Sequence, residues 1–430
     1  MRAKFKKVAL LAVMVKGLLV VGAASAQIVV GGGATLPEQL HKDLLPSGVA
    51  LTNYSYTGIG SVVKDAFLLN NPQATVGREL RDESQATRPK WPTTQSVHFA
   101  AGESVLRAAE RDAYRAAHVE LAPGVPVTGP AAWGPLIQIP IFGTAVLIPY
   151  KGSAASAVTN LNLPDAKVCA IFSKQPGGRS WGELLGTADP TPIQVVYNDE
   201  LSGTTELLSR YLVAACPGSG FRVSSDFRAV VDGTVPAGTP QPRRSTDLAN
   251  PAADAIWRFT EGDAGMSGSF STAGRIGYMS PDPAYNPTND TLFAKVNGFL
   301  PVAAAIRTML GSQSLPVGGA TTDPLAWVPA YVKPPVSGTG ASYPIFGTTN
   351  LLVNQCYRDP AITAKVRSFL TRLYVPSPLV TSHGFVPLPD GTAGTQNWRS
   401  TIISRFLTVT SAQAIGNTSV CNGIGRPLSN

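Results

Sequence analysis

The chain has 430 residues, of which 44% are hydrophobic and 14% are charged, so it can bury a full core and is not a disordered charged tail. This length predicts two or three domains. The formal net charge is +8, but five basic residues and no acidic ones lie within residues 1–26, and without them the excess falls to +3. A nearly neutral body does not favour a nucleic-acid-binding protein.

Residues 1–26 have the pattern of a secretory signal peptide. A basic start is followed by an apolar run, and Ala24-Ser25-Ala26 supplies the small residues of a cleavage point. We expect cleavage after Ala26 and a periplasmic or secreted protein. A membrane anchor is the alternative, but Lys16 interrupts the apolar run, which falls short of the roughly 20 residues that span a bilayer. No later segment is long and apolar enough to span a membrane.

The four cysteines all follow the signal segment: Cys169, Cys216, Cys356 and Cys421. In an oxidising compartment two disulfides are expected, and four cysteines allow three pairings. The parsimonious pairing joins Cys169 to Cys216 and Cys356 to Cys421, one bridge in each half of the chain. Metal binding is the alternative, but no two cysteines have C-x-x-C spacing and the four histidines are scattered. We expect neither a metal nor a cofactor.

Strand, glycine- or serine-rich turn and helix follow one another four times along the chain, which predicts an α/β fold with largely parallel sheets. The strands are expected at 28–30, 51–57, 96–100 and 193–197, with helices following at 38–41, 62–69, 105–117 and 204–213. The first N–H groups of such helices have no partner within the helix, and the helix dipole is positive there, so the turns suit an anion. Ordinary helix capping is the alternative for each turn.

One five-residue segment occurs twice, as Pro140-Ile141-Phe142-Gly143-Thr144 and as Pro344-Ile345-Phe346-Gly347-Thr348. Both copies lie in apolar stretches typical of extended backbone, about 200 residues apart. This arrangement suits a chain that crosses twice between two lobes. We therefore predict one lobe from residues 27–140 and 345–430 and a second lobe from residues 141–344.

Seven short motifs are spread over nearly the whole chain after the signal segment. They are Gly31-Gly32-Gly33-Ala34-Thr35-Leu36-Pro37, Tyr56-Thr57-Gly58-Ile59-Gly60-Ser61, Val97-His98-Phe99-Ala100, Gly134-Pro135-Leu136-Ile137-Gln138-Ile139-Pro140, Ser202-Gly203-Thr204-Thr205-Glu206-Leu207, Arg275-Ile276-Gly277-Tyr278-Met279-Ser280-Pro281 and Tyr343-Pro344-Ile345. Each motif alone is weakly diagnostic, but the ordered set resembles DING proteins, secreted relatives of the periplasmic phosphate-binding proteins of ABC transporters. The resemblance implies a two-lobed periplasmic-binding-protein fold of type II. Each lobe would be a mixed, mostly parallel sheet flanked by helices, and two hinge crossovers would let the lobes close on phosphate.

The resemblance also implies a ligand set, carried over position by position. The phosphate-binding candidates are Thr35, Leu36, Ser61, Glu103, Asn198, Ser202, Gly203 and Thr204. Six of them match the family's pattern and are mostly neutral donors. The two departures are Glu103, which stands where the family has Asp, and Asn198, which stands where the family has Arg.

These two departures leave three outcomes open. A buried carboxylate accepts the proton of a protonated phosphate oxygen, and the family's Arg offsets its charge. Without that Arg, another cation takes its place, or Glu103 is protonated in the complex, or the pocket binds phosphate poorly or binds something else. The candidate cations are Lys64, Arg107, Arg179, Arg243 and Arg244.

The segment Gly178-Arg179-Ser180-Trp181-Gly182 fits the G-x-S-x-G pattern of hydrolase nucleophiles. That pattern needs a strand directly before the serine, whereas the preceding residues 174–177 are typical of a loop. Ser180 and Glu183 have instead the spacing of a capping box at the start of a helix. We expect no catalytic residue here.

The sequence therefore predicts an exported, monomeric solute-binding protein that captures inorganic phosphate or a related oxyanion, with no nucleic-acid partner. A receiving ABC permease is left open. One alternative is a phosphomonoester hydrolase, because some secreted family members are described as alkaline phosphatases. The other is an adhesion or inhibitory protein that has lost tight phosphate binding, for which the loops 236–247 and 316–340 would provide a surface.

Overall fold

A computed structural model describes residues 28–35, 37–44, 53–60, 62–75, 77–244, 256–260, 268–281, 292–391 and 396–429. The predicted signal peptide and two of the predicted ligand residues, Leu36 and Ser61, lie outside the described residues.

The described residues form strands and helices in alternation along much of the chain. The strands are β1 Val29–Gly33, β2 Tyr54–Gly58, β3 Phe99–Gly102, β4 Glu120–Ala122, β5 Val125–Pro126, β6 Leu136–Ala145, β7 Tyr150–Lys151, β8 Asn162–Leu163, β9 Gln194–Asn198, β10 Trp257–Thr260, β11 Arg275–Gly277, β12 Lys295–Val296, β13 Phe346–Asn354 and β14 Val386–Pro387. The α-helices are α1 Glu38–Leu44, α2 Val63–Leu68, α3 Ala108–His118, α4 Asp165–Ser173, α5 Trp181–Leu185, α6 Gly203–Ala215, α7 Phe227–Val231, α8 Ala303–Gly311, α9 Pro360–Tyr374, α10 Pro378–Ser382 and α11 Trp398–Ile402. Short 3-10 helices lie at Gly129–Ala131, Gly318–Thr322 and Pro324–Trp327, and a π-helical turn lies at Ile403–Leu407.

A six-stranded sheet has the strand order β14-β6-β13-β3-β1-β2. Strand β1 is parallel to both β2 and β3, as the repeated strand–turn–helix pattern predicts, and every residue of β1 is buried. Strands β6, β13 and β14 pair antiparallel, so this sheet is mixed rather than mostly parallel. The difference arises because β6 and β13 run in opposite directions through the sheet, which a repeated segment in the sequence does not reveal.

A four-stranded sheet has the order β10-β9-β11-β7, and β9 is parallel to both β10 and β11. Four residues separate the end of β9 from the start of helix α6, which buries Leu207, Leu208, Tyr211 and Leu212 on one stripe. That stripe reaches the other sheet, because a Cβ on Gly347 of β13 would lie 3.1 Å from Leu207 Cδ1. Helix α6 therefore connects the end of one sheet to the other.

Strands β6 and β13 pair along their whole length, from Leu136 opposite Asn354 to Ala145 opposite Phe346. The repeated segment forms much of this pair. Beyond the strands, the pairing continues with the N–H of Val146 donating to the carbonyl of Ile345 at 2.9 Å. The boundaries of the two lobes stay a prediction, and β6 keeps its place in the six-stranded sheet to Ala145.

Both disulfides follow the predicted pairing. Cys169 of α4 is bonded to Cys216 at the end of α6, with the Cα atoms 5.8 Å apart. Cys356, just after β13, is bonded to Cys421 of the C-terminal segment, with the Cα atoms 5.3 Å apart. Among the described residues, no helix has the length and apolar character needed to cross a membrane.

The C-terminal segment places a buried arginine against the six-stranded sheet. Arg426 is 1% exposed and donates to Asn354 Oδ1 at 2.7 Å, to Asn70 Oδ1 at 2.5 Å and to the carbonyl of Phe67 at 2.8 Å. Its guanidinium lies 4.1 Å from the ring centre of Phe67 and 4.8 Å from that of Trp133. Burial lowers the pKa of Arg426 to about 10, which leaves the group charged at neutral pH.

Candidate anion-binding site

The turns after β1, β2 and β3 leave the six-stranded sheet at one edge. Because β1 is parallel to both neighbours, Gly33 lies opposite Gly58 and opposite Ala101, and the carboxyl ends of the three strands coincide. The first two turns lie side by side, since a Cβ on Gly58 would be 3.2 Å from the Cα of Thr35. In open α/β sheets, ligands bind at such an edge.

Helix α6 begins against the third of these turns. A Cβ placed on Gly203 would lie 2.6 Å from Glu103 Oε2 and 3.1 Å from the Glu103 Cα. Any side chain at position 203 would therefore collide with Glu103, and glycine is needed for the close approach. As a result, the positive end of a 13-residue helix lies against the carboxyl edge of the six-stranded sheet.

Glu103 is a buried carboxylate directly after β3, with 2% of its surface exposed. The hydroxyl of Thr349, on β13, donates to Glu103 Oε1 at 2.8 Å. The negative potential of the edge also affects Tyr56, whose pKa is raised well above its usual value by burial first and then by Glu103 and Glu38. The Tyr56 hydroxyl donates to the carbonyl of Ala34 at 2.9 Å and so supports the first turn.

The residues at the start of α6 carry hydroxyl and amide groups and lie close to this edge. Ser202 is the N-cap residue, but its hydroxyl does not cap the helix, and its N–H donates to the carbonyl of Ser225 at 2.9 Å. The Thr204 hydroxyl forms a hydrogen bond with the hydroxyl of Ser280. Both Ser202 and Thr204 are buried. The start of α6 is thus bonded to Ser225 and Ser280, which lie on the side of the four-stranded sheet, while Gly203 lies against Glu103 of the six-stranded sheet.

Asn198 ends β9, where the family's pattern has Arg. Its side chain accepts a hydrogen bond from the N–H of Glu200 at 3.0 Å, and its own N–H donates to the hydroxyl of Tyr278 at 3.2 Å. The Asn198 amide oxygen therefore shapes the loop that leads to α6. Its role as a ligand stays a prediction.

The structure brings together most of the predicted ligand residues that it describes. Those at the shared edge are Thr35, Glu103, Ser202, Gly203 and Thr204. Thr35 is exposed, whereas Glu103 is enclosed. The assignment of these residues to phosphate stays a prediction.

Sequence reasoning missed three residues of this edge. One is Thr349, which holds Glu103 and directly follows the second copy of the repeated segment. The others are Arg78 and Glu200, whose Nη2 and Oε1 atoms are 2.6 Å apart. Nothing in the sequence around Arg78 indicates this contact, because its partner is more than 100 residues away.

Four of the five candidate cations form ion pairs with carboxylates. Lys64 and Arg107 pair with Glu110 at 2.8 and 2.5 Å, Arg179 pairs with Glu183 at 2.5 Å, and Arg244 pairs with Asp226 at 3.6 Å. Arg243 contacts the hydroxyl of Tyr197 through its backbone.

Ser180 is a helix cap, as predicted. Its hydroxyl accepts from the N–H of Glu183 at 3.2 Å, and α5 begins at the next residue. Glu183 Oε2 accepts from the N–H of Gly177 at 2.9 Å, which fixes the preceding loop. Within the described part of the chain, no group of three or more His, Cys, Asp and Glu residues is placed to hold a metal ion.

The chain is similar over most of its length to proteins of known name and structure. A family model described as a PBP superfamily domain matches residues 70–374. A Pseudomonas aeruginosa protein named alkaline phosphatase L is 37% identical, over 94% of this chain and 95% of that protein. The crystal structure of a phosphate-binding protein from Stenotrophomonas maltophilia has a TM-score of 0.72 at 31% identity and covers 94% of this chain and 100% of its own. A high-affinity periplasmic phosphate-binding protein, PfluDING, bound with phosphate, has a TM-score of 0.71 at 32% identity, covering 93% of this chain and 100% of its own.

The chain belongs to the DING and phosphate-binding protein family. The resemblance inferred from the seven motifs is thereby confirmed, and so is the two-lobed periplasmic-binding fold of type II. Against this family pattern, the chain keeps the neutral donors of α6 and differs at the two positions where the pattern has charged residues, which are Glu103 and Asn198 here.

Proposed function

We propose that this DING-family protein binds inorganic phosphate, or a related oxyanion, between the edge of the six-stranded sheet and the start of α6. The observation that supports this most directly is the contact of Gly203 with Glu103. It sets the N–H groups of a long helix beside a buried carboxylate. The N–H groups favour a ligand with hydrogen-bond acceptors, whereas the carboxylate favours a ligand with a hydrogen-bond donor. An anion that still carries a proton meets both.

The N–H groups at the start of α6 and the nearby hydroxyls donate to anion oxygens, as helix N-termini do for phosphate in general. An ionised Glu103 only accepts hydrogen bonds, so it attracts an oxygen that carries a proton and repels one that does not. Monohydrogen phosphate and arsenate supply that proton at neutral pH, whereas sulfate does not. The proposed site therefore favours phosphate over sulfate.

The proposal includes export by residues 1–26 with cleavage after Ala26, and function as a monomer. Binding would occur as the lobe of residues 27–140 and 345–430 closes against the lobe of residues 141–344. PfluDING, to which the chain is similar, is described as periplasmic. In that compartment, delivery of the bound anion to an ABC permease would be the transport role.

Isothermal titration of the purified, cleaved protein with phosphate, arsenate and sulfate tests the proposal. Heat is expected with phosphate and arsenate, and much weaker binding with sulfate. Gly203→Ala should weaken phosphate binding at least about 100-fold, because the new Cβ would overlap Glu103. Gly319→Ala is the matched control, since a Cβ there meets no atom within 4 Å. Absence of heat with every anion would refute the proposal.

A phosphatase is the second candidate, because a relative 37% identical to this chain is named alkaline phosphatase L. Glu103 as base and Ser202 or Ser61 as nucleophile would be the reacting groups of such an enzyme. Nitrophenyl phosphate, incubated with the purified protein with and without added divalent metals, separates the candidates. The binding proposal predicts no nitrophenol above the background. Turnover that disappears in Glu103→Gln and Ser202→Ala would favour the phosphatase.

A further inference from the structure

The proposed site carries negative charge on both sides of the cleft. Glu103 lies on one side, and Asp199 and Glu200 follow β9 on the other. Bringing a phosphate dianion to a buried carboxylate is costly unless a cation offsets the charge. The residue that supplies this cation in the family's pattern is replaced by Asn198, so the positive charge has to come from a different element.

The replacement at position 198 changes what its loop presents. With its side-chain oxygen bonded to the N–H two residues later, Asn198 forms the turn typical of Asn and Asp in loops. Asp199 is engaged by Arg228 of α7. Glu200 is thereby directed across the cleft, where its carboxylate meets Arg78 at 2.6 Å.

Arg78 lies where the second turn and the start of α6 approach each other. A Cβ on Gly60 would be 3.5 Å from Arg78 Nη1 and 3.4 Å from the carbonyl oxygen of Leu201. Gly60 has a φ of +78°, a conformation that suits glycine, so this approach is built into the turn. Leu201 directly precedes Ser202 and Gly203, so the guanidinium is close to the donors of α6.

We propose, on the basis of the phosphate site described above, that Arg78 is the cation of this site and takes the place of the family's Arg. Nη2 holds Glu200, and Nη1 is on the side of the Gly60 turn. The guanidinium has five N–H donors in a fixed plane, so it can keep one carboxylate and still bind an oxyanion. Its side chain is 29% exposed, which lets an incoming anion reach it from solvent. Glu200 positions Arg78 and also competes with the ligand for it.

Titration calorimetry with inorganic phosphate on Arg78→Ala and Glu200→Gln tests this assignment. Arg78→Ala should weaken phosphate binding about 10- to 100-fold, the usual effect of losing a charged hydrogen-bond partner. Glu200→Gln should tighten binding about 3- to 10-fold, because the competing negative charge is removed while the side-chain shape is kept. Arg78→Lys should recover part of the affinity.

The matched controls are Arg222→Ala and Asp232→Asn. They remove one positive and one negative charge, as the test variants do, but from an exposed ion pair in which the two atoms are 3.1 Å apart. Both should bind phosphate within about twofold of the parent protein. Wild-type affinity in Arg78→Ala overturns the assignment. Equal weakening in Arg78→Ala and Glu200→Gln also overturns it, because the pair would then only hold the cleft together. If the parent protein binds no phosphate, the proposed function fails and this inference fails with it.

Discussion

Arg426 and Glu103 are both buried beside the six-stranded sheet, and their surroundings differ. Arg426 is enclosed by acceptors of its own chain, two asparagine oxygens and one carbonyl, and by two aromatic rings. Glu103 lies at the carboxyl edge of the sheet, between the hydroxyl of Thr349 and the start of α6. The charge of Arg426 is part of the core, whereas the charge of Glu103 lies at the sheet edge against the start of α6.

The neighbours of a buried charge indicate whether it stabilises the fold or takes part in binding. A charge whose neighbours are fixed groups of the core stabilises that core, and its removal affects folding. A charge set at a sheet edge, opposite a helix N-terminus and beside loops, affects what is bound. Burial alone does not distinguish the two, since Arg426 is 1% and Glu103 2% exposed.

The largest effect is expected on the free energy of unfolding when Arg426 is replaced. Arg426→Met should lower the free energy of unfolding by about 3–5 kcal/mol, because Asn70 and Asn354 lose their buried donor. Urea denaturation measures this loss, and Arg358→Met, at an exposed side chain, is the control. Phosphate affinity of the folded variant should not change. A large loss of affinity would break the distinction between the two charges.

A second effect comes from two buried histidines beside the six-stranded sheet. Burial lowers the pKa of His41 to about 3, and burial followed by the charge of Arg426 lowers the pKa of His98 to about 3. Both are near 6.5 in the unfolded chain, which therefore binds more protons between pH 6.5 and 3. Stability should fall as the pH falls through this window, by about 1.4 kcal/mol per pH unit for each histidine.

His41→Leu isolates one of these contributions. Neither ring nitrogen of His41 has a hydrogen-bond partner, and the ring stacks on Tyr56 at 4.6 Å, so an apolar side chain fits the site. His98 accepts from the N–H of Val30 at 2.9 Å and would leave that donor unpaired if replaced. Denaturation at pH 4 to 7 should show that the parent loses stability on acidification faster than His41→Leu. Parallel curves would contradict the pKa shift.

The charge of Glu103, at the carboxyl edge of the six-stranded sheet, should determine which anion is bound. Glu103→Gln replaces an acceptor-only group with one that also donates, so a fully deprotonated anion is no longer repelled. The preference for phosphate over sulfate should fall about tenfold, measured by calorimetry with both anions. Thr349→Val, which removes the donor to Glu103, should change the preference in the same direction but less. An unchanged preference in Glu103→Gln would separate Glu103 from anion choice.

The smallest effect is expected at Ser180, which caps a helix and is not part of the surroundings of Arg426 or Glu103. Ser180→Ala removes the hydroxyl that accepts from the N–H of Glu183 and should cost about 1 kcal/mol of stability. Phosphate binding should be unchanged, and any release of nitrophenol should be the same as in the parent. A loss of such turnover in this variant would revive the nucleophile interpretation of the G-x-S-x-G motif.

The features that could be predicted from the sequence are mostly local. The strand, turn and helix units follow from short apolar runs and glycines, and the structure has β1, β2, β3 and β9 near the expected positions. Gly203 is singled out through the family resemblance, and the helix expected from 204 starts at Gly203 itself. The third turn begins later than expected, since Ala101 and Gly102 pair with β13 and so extend β3.

What could not be predicted depends on pairing between distant segments. The antiparallel course of β6 beside β13 depends on the direction of each crossing, which a repeated segment does not encode. The Arg78–Glu200 contact joins two loops that are more than 100 residues apart in the chain. The orientation of Asn198 depends on a hydrogen bond that an arginine would not make. Such contacts arise from tertiary structure and leave no periodicity in the chain.

The neighbouring course of β6 and β13 has a mechanical consequence. Their ends at Ala145 and Phe346 are paired, so the chain leaves this sheet after β6 and re-enters it at β13 at one place. In the proposed binding cycle, the two lobes would close about this junction. Side chains here would then set the ratio of open to closed molecules without touching the ligand.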